Sequence, residues 1–471
     1  MKLTYDVAEK PKGLSLITFA LQQMLAILAA TIAVPMIVKN GMTPAAAMFG
    51  AGVGTIVYQV FTRRKSPVFL GSSFAFLDSM AAAFAGGVSM QLGFLGLILG
   101  AFFAGAVYVV ISILVNKIGV NWLNKLMPAV VIGPTVAIIG LSLAGNAIGD
   151  LKTGDVVVEN QIVSEAGEIT VEKVMLASPY VAIICGLVTL FVIMICSSYG
   201  KKITKLIPFI IGIAVGYVLA LIMTLIGNAA GIDELKLIDL SVFSNYMMPD
   251  GKASINMIFS VPQFTFLEAL RGTGEVTGTY VISILAAYVP VAFVVFAEHV
   301  ADHKNLSSII EKDLLTDPGL NRTLLGDGIG SMAGAFFGGS PNTTYGESIA
   351  CVAITGNASS ITILVAAFGC MIFSFITPLI ALIDSIPSCV MGGVCISLYG
   401  FIAVSGLKML QKVDLGINKN LFTASVILIA GIGGLSLQFG DVKITTIATA
   451  LILGIITNKV LAKSDQKLPN K

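Results

Sequence analysis

Charge is scarce in this chain. Asp, Glu, Lys and Arg make up 11% of its 471 residues against 56% hydrophobic residues, less than half the roughly 25% charged that soluble domains carry, and the mean hydropathy is +0.94. That balance excludes a water-soluble enzyme. Histidine is scarcer still, with two residues, and the net charge of +2 supplies no basic face for nucleic acid. Cys185, Cys196, Cys351, Cys370, Cys389 and Cys395 sit in apolar runs without the paired spacing of a metal site, so they read as small buried side chains. A cleavable leader is not expected either. The first dozen residues are polar and the apolar run after them is too long for a leader's hydrophobic region, so that first segment should stay.

What is abundant is hydrophobic sequence of spanning length. Fourteen windows of about 17 to 25 residues are long enough for a ~30 Å hydrocarbon core. They begin near Gly13, Ala45, Pro67, Gln91, Met127, Pro179, Leu206, Val281, Arg322, Pro341, Ala358, Pro387, Asn420 and Lys443, and the third and tenth are short and weak. Lys and Arg gather in alternate connections: Lys2, Lys10 and Lys12; Arg63, Arg64 and Lys65; Lys117 and Lys125; Lys201, Lys202 and Lys205; Lys304, Lys312 and Arg322; Lys408, Lys412 and Lys419; Lys459, Lys463, Lys467 and Lys471. These are 21 of the 28. The positive-inside rule then places both termini in the cytoplasm, which requires an even number of spans.

Fourteen divides into seven and seven. Met127-Pro128-Ala129-Val130-Val131-Ile132-Gly133 opens the fifth window and Ile386-Pro387-Ser388-Cys389-Val390-Met391-Gly392 the twelfth, with Pro, Val and Gly in register. An odd-numbered repeat must be inverted across the membrane, the arrangement typical of secondary transporters. The expected fold is therefore an all-α polytopic membrane protein of 14 transmembrane segments in two inverted repeats of seven.

The weak third and tenth windows are related by the same step of seven. Pro67, Gly71 and Ser72-Ser73 in one, and Gly338-Gly339-Ser340-Pro341-Asn342-Thr343-Thr344 in the other, disfavour a helix start and predict extended backbone. Such backbone survives at membrane depth only where protein covers it or it lines a cavity, and a matched pair of broken segments points to a transporter's binding site. Both histidines fall in Glu298-His299-Val300-Ala301-Asp302-His303, and Glu347 follows the second break. Ionisable groups in lipid mark function by default. Two carboxylates, free backbone amides, and Phe74 or Tyr345 to cover a flat face suit a small planar molecule with N–H and C=O edges. An anion would be repelled by Glu298 and Glu347. Asp302 and His303 either join this site or mark the cytoplasmic end of the eighth span. Gln22 and Gln23 bridge helices or line the site. Gly326-Asp327-Gly328-Ile329-Gly330 reads as close helix packing, since no βαβ unit surrounds it.

At Phe296-Ala297-Glu298-His299-Val300-Ala301-Asp302-His303, Lys312-Asp313-Leu314-Leu315-Thr316-Asp317-Pro318-Gly319-Leu320, Gly338 to Ser348, Gly71-Ser72-Ser73-Phe74-Ala75-Phe76 and Gly392 to Gly400, the chain resembles the nucleobase–ascorbate transporter family and its uracil permease branch. The resemblance runs nearly the whole length. It implies a core domain (13–120 and 280–384) moving against a gate domain (127–226 and 387–462), with short strands in segments 3 and 10 and the base held between core and gate. It further implies that Glu298 and Glu347 hydrogen-bond the base, that Phe74 and Gly346 meet it through backbone amides, and that Ala30, Tyr345 and Tyr399 pack around it. His299, Asp327, Ser73 and Thr344 would support these from behind. Glu347, where purine-transporting relatives commonly have Gln, favours a pyrimidine. A homodimer through the gate is implied as well, and the lipid bilayer is the other partner.

The chain departs from the family pattern in two places. Gln22-Gln23 stands where the family often has Gln-His, and Asp302, followed by His303, stands where some uracil permeases have His. The expected coupling ion is the proton, carried by Glu298 with Asp302 and His303, and no cofactor is called for. Burial penalises a bare carboxylate by several kcal/mol, which makes proton uptake at Glu298 a natural coupling step. Two other readings stand beside uracil import. One is a purine or xanthine permease, or a channel or anion exchanger sharing the fold. The other is an intramembrane metalloprotease, because His299-Val300-Ala301-Asp302-His303 approximates H-x-x-E-H; there Asp is one methylene short and no third histidine exists.

Overall fold

The computed structural model describes residues 3–119, 121–163, 169–201, 203–248, 255–439 and 442–462. Lys2, Lys202, Lys463, Lys467 and Lys471 of the positive set lie outside them, as do parts of the acidic stretches 150–172 and 227–278.

The chain is mostly helical, and its long helices are apolar, as a membrane solvent requires. Among the described residues eight helices are long and apolar enough to cross a bilayer: Leu14–Val38, Pro44–Phe61, Met90–Ile118, Ala129–Leu151, Pro179–Tyr199, Pro208–Ala230, Gly278–Ile310 and Ser388–Leu410. The other six windows also hold helices, but shorter or more polar ones. Asn418–Ile432 and Thr446–Leu461 are 15 and 16 residues long. In the third and tenth windows the helical parts, Leu77–Ala83 and Gly346–Thr355, have only 7 and 10 residues, about 10 and 15 Å of rise. They are short because extended backbone fills the first part of each window.

Two compact units divide the chain. The first comprises Met1–Ser142, Val261–Phe375 and Phe401–Lys471, the second Leu143–Ser260 and Ile376–Gly400. In the first unit the elements that matter most are α1 (Leu14–Val38), α2 (Pro44–Phe61), β1 (Leu70–Ser72), α3 (Leu77–Ala83), α4 (Met90–Ile118), α5 (Gly278–Ile310), α6 (Leu320–Gly338), β2 (Asn342–Thr344), α7 (Gly346–Thr355) and α8 (Ser360–Phe373). Polar caps start three of the long helices: Thr43, Ser89 and Thr277 each accept a hydrogen bond from a backbone N–H three residues on.

Helix α6 lies between α2 and α4, and glycine makes that fit possible. A Cβ on Gly330 would stand 2.8 Å from the carbonyl oxygen of Gly54 on α2, and one on Gly105 of α4 would stand 2.6 Å from that of Gly328. The Gly326-to-Gly330 segment is therefore a packing surface, as its sequence predicts.

In the second unit, Pro179–Tyr199 packs along Pro208–Ala230, and strands Val157–Val163 and Ile169–Met175 form an antiparallel hairpin. Asp155 accepts a 2.6 Å hydrogen bond from the Ser388 hydroxyl, and the Tyr217 and Ser385 hydroxyls meet at 2.8 Å. All six cysteines are free and buried.

Candidate functional site

The extended backbone predicted in segments 3 and 10 forms one two-stranded ribbon at the centre of the first unit. β1 pairs antiparallel with β2, Leu70 opposite Thr344, Gly71 opposite Thr343 and Ser72 opposite Asn342. The ladder extends through Ser73 N–H to the Pro341 carbonyl at 2.9 Å and Tyr345 N–H to that of Phe69 at 3.1 Å. Because the strands are antiparallel, the helices that follow them leave from opposite ends. The turn Phe74–Phe76 leads into α3 from one end, and Gly346 starts α7 from the other. Each brings first-turn N–H groups, which have no intrahelical partner, to the ribbon.

Two strands leave outer edges unpaired, and side chains satisfy them. The Thr55 hydroxyl meets both the N–H (2.9 Å) and the carbonyl (3.2 Å) of Leu70, the Gln59 amide donates to the carbonyls of Ser66 (2.8 Å) and Val68 (3.1 Å), and Ser348 Oγ accepts from Phe69 N–H at 2.9 Å. Gln23 of α1 donates to Ser348, so it serves as an inter-helix bridge. Gln22 keeps a buried carbonyl oxygen with no hydrogen-bond partner among the described residues.

The predicted residues of the first unit gather around this ribbon. Ala30, Phe69 and Tyr345 belong to one buried apolar cluster, and half-buried Phe74 packs against it. Tyr345 donates its hydroxyl to the Ser72 carbonyl at 2.8 Å, with its ring over Gly71, where any Cβ would collide with it. Gly346 is exposed, with open space where a side chain would stand, and Glu347 beside it is half-buried. Glu298, on α5, is also exposed, between buried Ala297 and His299, where the sequence predicted burial. Glu298 and Glu347 are near enough to interact electrostatically, and Asp302 and Asp327 share their field. Asp302 accepts a 2.7 Å hydrogen bond from the Thr344 hydroxyl of β2. Buried Ser73 continues β1, and half-buried Asp78 lies in the first turn of α3. Tyr399 is buried in the second unit.

α5 continues past Asp302 and His303 to Ile310, and His299 and His303 are buried. His299 places Nδ1 2.6 Å from Asp327 Oδ2 and Nε2 3.0 Å from the Thr323 hydroxyl. His303 Nδ1 lies 2.7 Å from the His299 carbonyl, which can only accept, so Nδ1 carries a hydrogen; Nε2 lies 2.6 Å from the Tyr58 hydroxyl, itself 2.7 Å from Ser66 Oγ. The two rings stack with centroids 4.0 Å apart. Every ring nitrogen thus has a protein partner, the opposite of a ligand pair held open for zinc.

Sequence reasoning missed Thr55, Tyr58, Gln59 and Thr62. The signal was present: they recur at helical spacing along one face of an otherwise apolar segment, and all four are 0% exposed.

The Permease family profile matches residues 14–439. Relatives include the uracil permease of Bacillus caldolyticus, 37% identical over 100% of this chain and 97% of its own length, and that of Escherichia coli K12, 33% identical over 95% and 92%. The putative pyrimidine permease RutG of Escherichia coli K12 is 30% identical over 95% and 90%. Among solved structures, the transmembrane domain of the cyanobacterial bicarbonate transporter BicA aligns over 95% of this chain and 97% of that one, with a TM-score of 0.60 at 14% identity. SLC26A9 aligns over 97% and 66%, with a TM-score of 0.63 at 9% identity. These structural likenesses concern the fold alone. By its family profile and full-length identities, the chain belongs to the Permease family as a nucleobase–ascorbate transporter of the uracil permease branch, and is an integral membrane transporter rather than an enzyme.

Proposed function

We propose that this protein imports uracil across the bacterial cytoplasmic membrane as a proton-coupled symporter working by alternating access. The observation that carries the reading is the pair of neighbouring glutamates, Glu298 and Glu347, beside a ribbon of interrupted helices, in a chain whose full-length relatives are named uracil permeases. Uracil has ring N–H groups for carboxylate acceptors and carbonyl oxygens for the amides at Phe74 and Gly346. Ala30 and Tyr345 pack behind it, and Tyr399 is assigned to the gate. His299, Asp327, Ser73 and Thr344 hold these groups in place.

The proton is the coupling ion and no cofactor takes part. Glu298 takes up the proton, with Asp302 and His303 beside it, and Glu347 is chiefly a ligand. Neutralising Glu298 lets the loaded core, 13–120 with 280–384, move against the gate, 127–226 with 387–462. Fourteen crossings in two inverted repeats of seven, both termini in the cytoplasm and a dimer through the gate complete the proposal. The alternation of Lys and Arg supports the orientation.

The test is uptake of labelled uracil by proteoliposomes under an imposed proton gradient. One proton moving through 100 mV supplies about 2.3 kcal/mol, enough for roughly 50-fold accumulation at 1.36 kcal/mol per decade. Glu298→Gln should bring accumulation to unity while the protein remains folded. A variant that still concentrates uracil would place coupling elsewhere. Stronger competition by xanthine or bicarbonate than by unlabelled uracil would overturn the substrate.

A further inference from the structure

Away from the ribbon, the first unit has a half-open cavity of about 550 Å³ lined by Arg63, Arg64, Lys65, Lys312, Asp313 and Asp317, among others. Its volume falls within the range of small-molecule sites. Four segments distant in sequence build it: the turn after α2, the segment after α5, the start of α8 at Ser360 and Ile361, and the N-terminal stretch at Val7 and Ala8, tied in by Ser360 N–H donating to the Val7 carbonyl at 3.1 Å.

Half of these six charged residues are ion-paired. Lys65 lies 2.6 and 2.8 Å from the two Asp317 oxygens, and Lys312 lies 2.7 Å from both Asp6 oxygens. Asp313 accepts from the Thr316 hydroxyl at 2.5 Å and from Leu315 N–H at 3.0 Å. Arg63 and Arg64 are exposed and have no ion-pair partner among the described residues.

Their backbone is unusual as well. Both sit at positive φ, 54° and 58°, a conformation that costs an L-residue about 1–2 kcal/mol. The turn is held there by Arg64 N–H to the Gln59 carbonyl at 2.9 Å, Lys65 N–H to that of Thr62 at 3.1 Å, and the Ser360 hydroxyl to the Arg64 carbonyl at 2.6 Å. Two arginines that only set membrane orientation need their charge, but neither a left-handed backbone nor a cavity. Strain maintained by surrounding bonds points to use of the side chains it aims.

We propose that this cavity is an anion site that binds phosphoryl groups through Arg63 and Arg64. Guanidinium forks match phosphoryl oxygens two at a time, which a lysine cannot do. The group belongs either to an anionic phospholipid head or to a soluble phosphate compound, and the cavity chemistry is the same for both. The site is separate from Glu298 and Glu347 and does not depend on the transported substrate.

The experiment uses the full chain purified in neutral detergent. One arm titrates inorganic pyrophosphate by calorimetry; the other compares thermal unfolding in nanodiscs of phosphatidylcholine alone and with phosphatidylglycerol. Saturable binding in the first arm identifies a soluble ligand, and stabilisation by phosphatidylglycerol in the second identifies a lipid head. In the responding arm, Arg63→Lys with Arg64→Lys keeps the charge and should weaken the response at least tenfold. Arg63→Gly with Arg64→Gly relieves the positive-φ strain, so it should fold as well as the wild type and lose the response. Silence in both arms, or double variants that respond like the wild type, overturns the proposal.

Discussion

Asp327 is the residue whose loss should matter most for its size. Its Oδ2 lies 2.6 Å from His299 Nδ1, both side chains are 0% exposed, and its Oδ1 has no hydrogen-bond partner among the described residues. Asp327→Ala leaves a buried imidazole N–H unmatched, which costs about 1–3 kcal/mol. Asp327→Asn keeps an oxygen facing Nδ1 and exchanges a charge-assisted bond for a neutral one, a difference of about 1 kcal/mol. Glu298 precedes His299 on α5, so a loosened ring also disturbs the acid assigned to the substrate; uracil affinity should fall more than tenfold in the Ala variant and only a few-fold in the Asn variant. The assay is denaturant unfolding in mild detergent with uracil titration, completed by a double-mutant cycle with His299→Ala. An Ala variant as stable as the Asn variant, or a coupling energy under about 0.5 kcal/mol, which is no more than independent sites show, would refute the reasoning.

The glycine seam gives a prediction of opposite signs. Gly330→Ala places a methyl 2.8 Å from the Gly54 carbonyl oxygen and 2.9 Å from Leu70 Cδ1, so overpacking of about 1–3 kcal/mol should outweigh the helix-propensity gain of about 1 kcal/mol; Gly149→Ala, in open space, should keep that gain, and thermal unfolding in which both variants shift the same way rejects the packing argument. Thr344→Val keeps the shape at β2 and removes the donor to Asp302, a bond worth about 1.5–3 kcal/mol if the carboxylate is charged. Uracil uptake should slow and its pH profile should move, with Thr344→Ser restoring both; a Val variant indistinguishable from Ser would show that the bond is not used. On the exposed face of the first unit, the Lys312 ammonium and then the Val7 amide hold Asp6 below the ordinary aspartate range. A depressed acid stabilises the fold fully above its unfolded pKa of about 3.9, and the contribution is lost as pH falls through the lower folded value. With the partners 48% and 44% exposed, Asp6→Asn should cost at most about 1 kcal/mol near neutral pH, and a stability difference that fails to shrink below about pH 4 would assign the effect to something other than this pair.

Membrane residence, the broken third and tenth segments, and the candidate acids were legible because each rests on local chemistry. A bilayer core demands about 20 apolar residues per helical crossing, and Pro341, Thr343 and Thr344 oppose a helix wherever they are placed. The Glu298-to-His303 cluster was conspicuous for the same reason, since ionisable groups are rare in an apolar chain. What was read less well depended on neighbours. Apolar windows marked where helices lie but not how long each one is, and the place of Asp302 and His303 was left open because polar residues at an interface and polar residues inside a bundle look alike in sequence.

Sequence alone therefore settled the solvent and the secondary-structure type, both consequences of single residues meeting lipid. Tertiary structure alone decided the partners. It joined Leu70 to Thr344 across more than 270 residues, set Asp327 against His299, and gave Thr55, Gln59 and Ser348 the backbone groups of the ribbon to satisfy. A buried polar group needs some partner, which is a local rule, but which partner it finds depends on how distant segments pack.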